Sequence, residues 1–258
     1  MANKNNYMCN AKTDVHDEFY TQYETIETEL KYYTSAFKDK IVYCNCDDYR
    51  ISNFVKFFKN KDNFLKFGIK QFVATGYNKD GHGTYCTQFI SERNVLVFHC
   101  GNLTGDGSFD SPECLDIFNK ADIIITNPPF SRFKDIIQLM FDSNKQFMLI
   151  GNQNALTLKN VFPKIIEGKV WWSKGESLHA GIGYFINGGN YENISESDDK
   201  DFIRISQMRW WTNIKMTEPC PELTWNLTKT LADGEYLKYD NLEQATENIK
   251  KYLYDYAE

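Results

Sequence analysis

The stretch that most restricts the fold runs from Asp122 to Phe130 and reads Asp-Ile-Ile-Ile-Thr-Asn-Pro-Pro-Phe. Ile123, Ile124 and Ile125 form an unbroken β-branched run, the mark of a strand covered on both faces. Pro128 and Pro129 then forbid both helix and ladder, so the chain must turn there with fixed φ. Beyond the turn, Phe133, Ile136, Ile137, Met140 and Phe141 recur at helical spacing within 131–144, and 146–151 reads as a second buried strand. Strand, helix and parallel strand together place the turn 127–130 at the carboxyl end of a strand, where open α/β sheets hold their ligands.

The turn suits one kind of chemistry. An exocyclic amine on a planar ring is a poor nucleophile, because its lone pair is delocalised into the ring. Two acceptors beside it, the Asn127 side-chain oxygen and the Pro128 carbonyl, would hold its hydrogens. They would also stabilise the positive charge that grows as the nitrogen attacks, the reverse in sign of an oxyanion hole. The two prolines keep both oxygens in place, and Phe130 offers a ring to stack on. The bland alternative is a Pro-Pro loop whose phenylalanine plugs the core, and a tetrapeptide alone does not decide between them.

Composition narrows the field. The chain has 258 residues, enough for one sizeable core, and no apolar run of membrane-spanning length. Its polar N-terminus lacks the apolar stretch of a signal peptide. Seven cysteines without framework spacing read as free thiols in a reducing compartment, so the expected location is the cytoplasm. His99 and Cys100 lack companion ligands, and no metal is expected. A net charge of −6 argues weakly against a nucleic-acid partner, although Lys56, Lys59, Lys61, Lys66 and Lys70 form a local basic stretch best read as a solvated face.

In chain order, 1–16 reads as a tail. A helix to about residue 37 follows, with Ile26, Leu30, Tyr33 and Phe37 on one face. A strand at 41–45 ends in Cys46-Asp47-Asp48, with Ser52 or Asn53 to cap the next helix. Taken alone, Asp47 and Asp48 read as caps or helix-dipole partners. A strand at 71–75 precedes a Gly-rich loop, and 84–89 with 94–100 reads as a hairpin insertion. Ser111, Pro112 and Glu113 start a helix to about residue 119. Asn154 is placed to cap a helix through 166 that Pro163 breaks or kinks, and 169–172 and 183–186 read as strands. Segments 202–205 and 207–212 read as another hairpin, and 241–258 as an amphipathic helix.

Several separate blocks, in order, resemble the EcoRI-like adenine-specific DNA methyltransferases. They are Asp17-Glu-Phe-Tyr-Thr-Gln-Tyr23, Val42-Tyr-Cys-Asn-Cys-Asp-Asp48, Gly105-Asp-Gly-Ser-Phe109, Ala121-Asp122 through Asn127-Pro-Pro-Phe-Ser131, Phe147-Met-Leu-Ile-Gly-Asn152, Arg209-Trp-Trp-Thr-Asn213 and, more weakly, Tyr239-Asp-Asn241. The resemblance implies transfer of a methyl group from S-adenosylmethionine to the exocyclic amine of an adenine flipped out of double-stranded DNA. It implies a Rossmann-like class I methyltransferase sheet, mostly parallel with an antiparallel final strand and helices on both faces. A core over 17–190 would carry a C-terminal extension of the same domain over 191–258.

By resemblance, Phe19, Tyr20 and Thr21 pack over the donor's methionine part, and Asn45, Cys46 and Asp47 form the turn that replaces the usual Gly-rich motif. Asp106 and Phe109 meet the donor's adenine. Asn127, Pro128, Pro129 and Phe130 are the catalytic motif, with Asn127 also at the donor. Arg209, Trp210 and Trp211 are candidate DNA contacts, with a hairpin core and one exposed arginine as the competing reading. A monomer is expected, with a restriction endonuclease that reads the same site as a partner in function and no membrane association. The family continues past the Tyr-Asp-Asn block with a Val-Pro-containing strand, whereas here a charged helix follows, so a shortened target-recognition part is expected. Two other readings stand beside this one: methylation of an RNA guanine amine, and a catalytically retired DNA-binding homologue.

Overall fold

Side chains that alternate between two apolar faces decide the architecture. The computed structural model describes residues 20–173, 182–185, 202–205 and 208–217. Its strands are β1 (Tyr20–Thr21), β2 (Ile41–Cys44), β3 (Gln71–Gly76), β4 (Thr84–Ile90), β5 (Leu96–Asn102), β6 (Ile123–Thr126), β7 (Gln146–Asn152), β8 (Trp171–Trp172), β9 (Ile182–Phe185), β10 (Phe202–Ile205) and β11 (Met208–Thr212). Eight of them form one sheet in the order β5-β4-β3-β2-β6-β7-β11-β8, and β1, β9 and β10 form a small second sheet. The central strands β3, β2, β6 and β7 are parallel. β4 and β11 run against them, so β5 and β8, each antiparallel to one of those two, point with the majority. This is the expected class I methyltransferase sheet, with the late strand β11 antiparallel.

Ile123 and Ile125 face one layer and Ile124 the other, as the continuous isoleucine run requires. On the first face, α1 (Tyr23–Leu30), α2 (Asn53–Lys59) and α3 (Lys61–Lys66) supply Ile26, Leu30, Phe54, Phe57, Phe58 and Phe64. On the second, α4 (Pro112–Lys120) and α5 (Phe133–Ser143) supply Phe118, Ile136, Ile137 and Met140. Gly151 in β7 permits close helix packing, because a Cβ there would lie 2.2 Å from the Phe133 ring. The five lysines of the basic stretch are exposed, and Lys59 also covers the Phe98 ring at 4.3 Å. No helix among the described residues is long and apolar enough to cross a membrane.

Three local expectations need correction. The hairpin β4–β5 is no separate insertion, because β4 pairs with β3 from Thr84 to Phe89 and extends the main sheet. In the stretch after β7, Asn152 rather than Asn154 is the cap, accepting from the Asn154 amide above a short 3-10 turn (Gln153–Thr157). Pro163 then sits in the first turn of a separate helix, α6 (Phe162–Ile166), where a missing N–H costs nothing. Finally, 202–205 and 207–212 are not a hairpin: β10 pairs with β9 in the small sheet, and β11 lies between β7 and β8 in the large one. β11 carries Trp210 and Trp211 on opposite faces, and each is 0% exposed. Such a strand needs cover on both faces, which the two core layers supply.

Thus β11, from the stretch expected to be the extension, is a strand of the main sheet. The expected tail 1–16, Phe19 and the helix 241–258 lie outside the described residues.

The burial of Trp210, edge-on to Phe54 at 5.8 Å, leads to a prediction. Trp210→Ala should lower stability by roughly 3–5 kcal/mol, as for other large core truncations. Urea unfolding checks this, and an unchanged midpoint would mean that the indole is not a core group.

Candidate active site

The strand order reverses at β2, which has β3 on one side and β6 on the other, and the crevice outside such a reversal is the usual ligand position. β2 and β6 pair in parallel with Val42 opposite Ile123 and Tyr43 opposite Ile124, so the turn after β2 and the turn 127–130 leave the sheet side by side.

The first turn is strapped in both directions. The Asp47 amide donates to the Thr75 carbonyl at 2.7 Å, tying the turn to the end of β3. The Asp47 side chain is 3% exposed. Its Oδ1 accepts from Ser52 Oγ at 2.6 Å and its Oδ2 from Thr126 Oγ1 at 2.7 Å. Ser52 also caps α2, accepting from the amides of Phe54 and Val55. The cap is therefore Ser52, and neither aspartate fills that role. Asp48 is instead held by Arg50 through Nε at 2.9 Å and through Nη2. One residue past the cap, Asn53 Nδ2 donates to the Thr21 carbonyl at 2.7 Å and draws the N-terminal strand to the same place.

Two polar atoms stand out here. Asn45 is 1% exposed and its Nδ2 finds no hydrogen-bond partner among the described residues; Thr21 is 3% exposed and its Oγ1 finds none there either. Buried polar groups are nearly always paired, so two such atoms at one sheet edge make it a candidate ligand position. Cys46 is half-buried and its Sγ donates to Asn45 Oδ1 at 3.8 Å.

The turn 127–130 has Pro128 buried and Asn127, Pro129 and Phe130 half-buried. The Pro129 carbonyl accepts from the Arg132 amide at 2.9 Å and opens a short 3-10 turn (Phe130–Arg132) that leads into α5. Phe130 packs against the core layer that α2 covers.

Arg132 joins this turn to the loop that holds Asp106 and Phe109. Its guanidinium contacts Asp110 at 2.8 Å and Asp135 at 2.9 Å, and lies 4.6 Å over the Phe109 ring. The Ser108 hydroxyl first, and Arg132 second, hold the Asp110 carboxyl below the usual aspartate value, and Asp110 in turn raises the arginine. The loop is anchored by Glu113, which accepts from the Thr104 and Gly105 amides. Phe109 is buried, while Asp106 is exposed and turns back to accept from the Ser108 amide. An open groove of about 840 Å³ lies alongside, between Phe109, Arg132, Gln138 and Leu158, but Asn45, Asp47 and Asn127 do not line it.

The structure therefore gathers Thr21, Asn45, Cys46, Asp47 and the turn 127–130 at one edge, with Asp106 and Phe109 attached through Arg132. Tyr20 is placed by pairing with Phe185. The expected DNA contacts are not brought to this edge as a surface. Trp210 and Trp211 are core residues, and half-buried Arg209 turns onto Met208 O and the Trp172 ring. Sequence reasoning missed Thr126 and Arg132, and took Ser52 only as a cap. The signal for Thr126 was a lone hydroxyl ending an otherwise all-isoleucine strand.

A family model described as "Adenine-specific methyltransferase EcoRI" matches residues 7–258. The chain is 36% identical over 265 residues to the type II methyltransferase M.EcoRI of Escherichia coli, spanning 96% of this chain and 80% of that one. It is 31% identical over 244 residues to the type II methyltransferase M.MpnI of Mycoplasma pneumoniae, spanning 92% and 72%. To the type II methyltransferase M.MgeORF184P of Mycoplasma genitalium it is 28% identical over 239 residues, spanning 89% and 72%. No solved structure matches at a comparable level.

The Asp110 pair has a pH signature. Its pKa is lowered on folding, so its stabilisation is present above about pH 4, the unfolded value, and is lost as pH falls through the lower folded value. Half the side chain is exposed, so the contribution should stay below about 1 kcal/mol. Asp110→Asn should therefore be slightly less stable than the parent at neutral pH, with the difference closing in strong acid. Denaturant midpoints at the two pH values check this.

Proposed function

The chain belongs to the EcoRI family of adenine-specific methyltransferases, and from that premise we propose that it methylates the exocyclic N6 amine of adenine in double-stranded DNA, with S-adenosylmethionine as methyl donor. The observation that carries this reading is the pair of turns locked side by side at the sheet reversal. One carries the buried Asn45 side chain and, through Asn53, holds the Thr21 carbonyl, and the other is the Asn-Pro-Pro-Phe turn.

The residues present fit the donor. The Thr21 hydroxyl and the Asn45 amide are hydrogen-bond donors in search of an acceptor, and a carboxylate such as that of the methionine part would satisfy them. When bound, S-adenosylmethionine supplies a methyl group made electrophilic by a positively charged sulfur. The protein's part is to capture and orient the amine. Adenine must leave the duplex to be reached, at a cost of about a few kcal/mol. Phe130 stacks on the flipped ring and offsets part of that cost. Asn127 Oδ1 and the Pro128 carbonyl accept the amine's two hydrogens and stabilise the charge that develops on nitrogen. No strong base is needed, because the amine becomes acidic only after it has been methylated. The corresponding partner in function is a nuclease that reads the same site, and the working unit is a cytoplasmic monomer.

Incubation with labelled S-adenosylmethionine and unmethylated genomic DNA, with total RNA in parallel, tests the reading. N6-methyladenine in DNA is the expected product, while label confined to RNA, or in neither, would overturn it. Asn127→Ala should slow transfer by roughly 10²–10³-fold, as for loss of one preorganised transition-state contact, while calorimetric donor affinity holds. Asn45→Ala should do the opposite and weaken donor binding first.

A further inference from the structure

Thr126 is the last residue of β6 and directly precedes Asn127. It is 0% exposed, in a strand whose other three residues are isoleucines. Valine would fill the same space without a hydroxyl to satisfy, so packing alone does not call for threonine. Its Oγ1 donates to Asp47 Oδ2 at 2.7 Å, across 79 positions of sequence, and Ser52 donates to Oδ1 of the same carboxylate at 2.6 Å. Bonds to a carboxylate away from water are charge-assisted and stronger than neutral ones.

We propose that Asp47 is a positioning residue: through Thr126 it latches the start of the Asn-Pro-Pro-Phe turn to the turn after β2, and so sets the distance between the two halves of the site. The torsions support this. Pro128 and Pro129 have fixed φ, so the turn moves nearly as one piece about the backbone at Thr126 and Asn127. A latch at Thr126 stands at the origin of that piece. Ser52 holds the other carboxylate oxygen and is itself fixed by α2, so the latch is referred to a helix rather than to a loop. Asp47 thereby acts on the reaction without having to touch the donor. The effect on rate rests on the methyltransferase reading; the latch itself rests on the hydrogen bonds.

Two substitutions separate hydrogen bonding from packing. Thr126→Val keeps the volume and loses the hydroxyl, whereas Thr126→Ser keeps the hydroxyl and loses a methyl group. Thr126→Val should slow methyl transfer to DNA by roughly ten- to a hundredfold, the scale of a hydrogen bond to a charged group. It should leave calorimetric affinity for S-adenosylmethionine unchanged, and Thr126→Ser should restore most of the rate. Val at the parent rate, Ser as slow as Val, or donor affinity falling in step with rate would each overturn the latch.

Hydrogen–deuterium exchange at the amides of Asn127, Phe130, Ser131 and Arg132 reads the latch without turnover. Exchange should quicken in Val and not in Ser, and equal exchange in all three proteins would overturn the proposal. If the parent protein transfers no methyl group to DNA, the proposed function fails, and the exchange result alone still decides the latch.

Discussion

A carboxylate enclosed between two hydroxyls joins the halves of this site. A carboxylate taken out of water costs several kcal/mol unless its lone pairs are met, and at Asp47 Ser52 and Thr126 each meet one oxygen. That requirement reaches far into the fold. Ser52 must cap α2 at the right distance, and β6 must lie parallel beside β2 with Val42 opposite Ile123. A shift of one residue in that register would send Thr126 to the opposite face, away from Asp47. Outside, Arg132 makes a second tie, from the turn 127–130 to Asp110 and the Phe109 ring. Being half-exposed, it is screened and the weaker of the two. The turn 127–130 is thus held by a strong inner bond and a softer outer one, on either side of the rigid prolines.

How much of this could be read from the chain depends on how local the cause was. The isoleucine run, the two prolines and the helical spacing after them led directly to β6, the turn and α5, because each rests on neighbours within a few positions. Ser111 and Pro112 likewise led to α4. The errors came where the cause was distant. Two adjacent tryptophans on a strand must point to opposite faces, and that alone called for an interior strand, but nothing nearby says that β7 is the partner. The segments 202–205 and 208–212 are close in sequence and strand-like, so a hairpin was the natural reading, yet they belong to different sheets. Asp47 looked like a cap for the same reason: its partner Thr126 is 79 positions away, and a sequence scan sees only the helix start beside it.

The site itself was legible as a set of residue types but not as an arrangement. Family resemblance brought Thr21, Asn45, Asp47 and 127–130 together without saying what each touches. The structure separates them by bonding: Asn45 Nδ2 and Thr21 Oγ1 are buried without a hydrogen-bond partner among the described residues, whereas each Asp47 oxygen already accepts from a neighbouring hydroxyl.

The missing Gly-rich turn follows from the same geometry. In dinucleotide-binding turns, glycines let backbone amides approach the ligand closely. Here the turn after β2 is filled by Asp47 facing inward and Asp48 gripped by Arg50. The close backbone approach has moved one loop away. Gly107 has φ +78°, and a Cβ on it would lie 2.4 Å from the Gly76 carbonyl. That contact presses the loop carrying Asp106 and Phe109 against the end of β3, and the Asp106 carbonyl accepts from the Asn78 amide at 2.8 Å. In the first turn the Asp47 amide is likewise committed, to the Thr75 carbonyl at the end of β3. Asn45 Nδ2, shut from solvent and without a hydrogen-bond partner among the described residues, is the uncommitted side-chain donor at that turn.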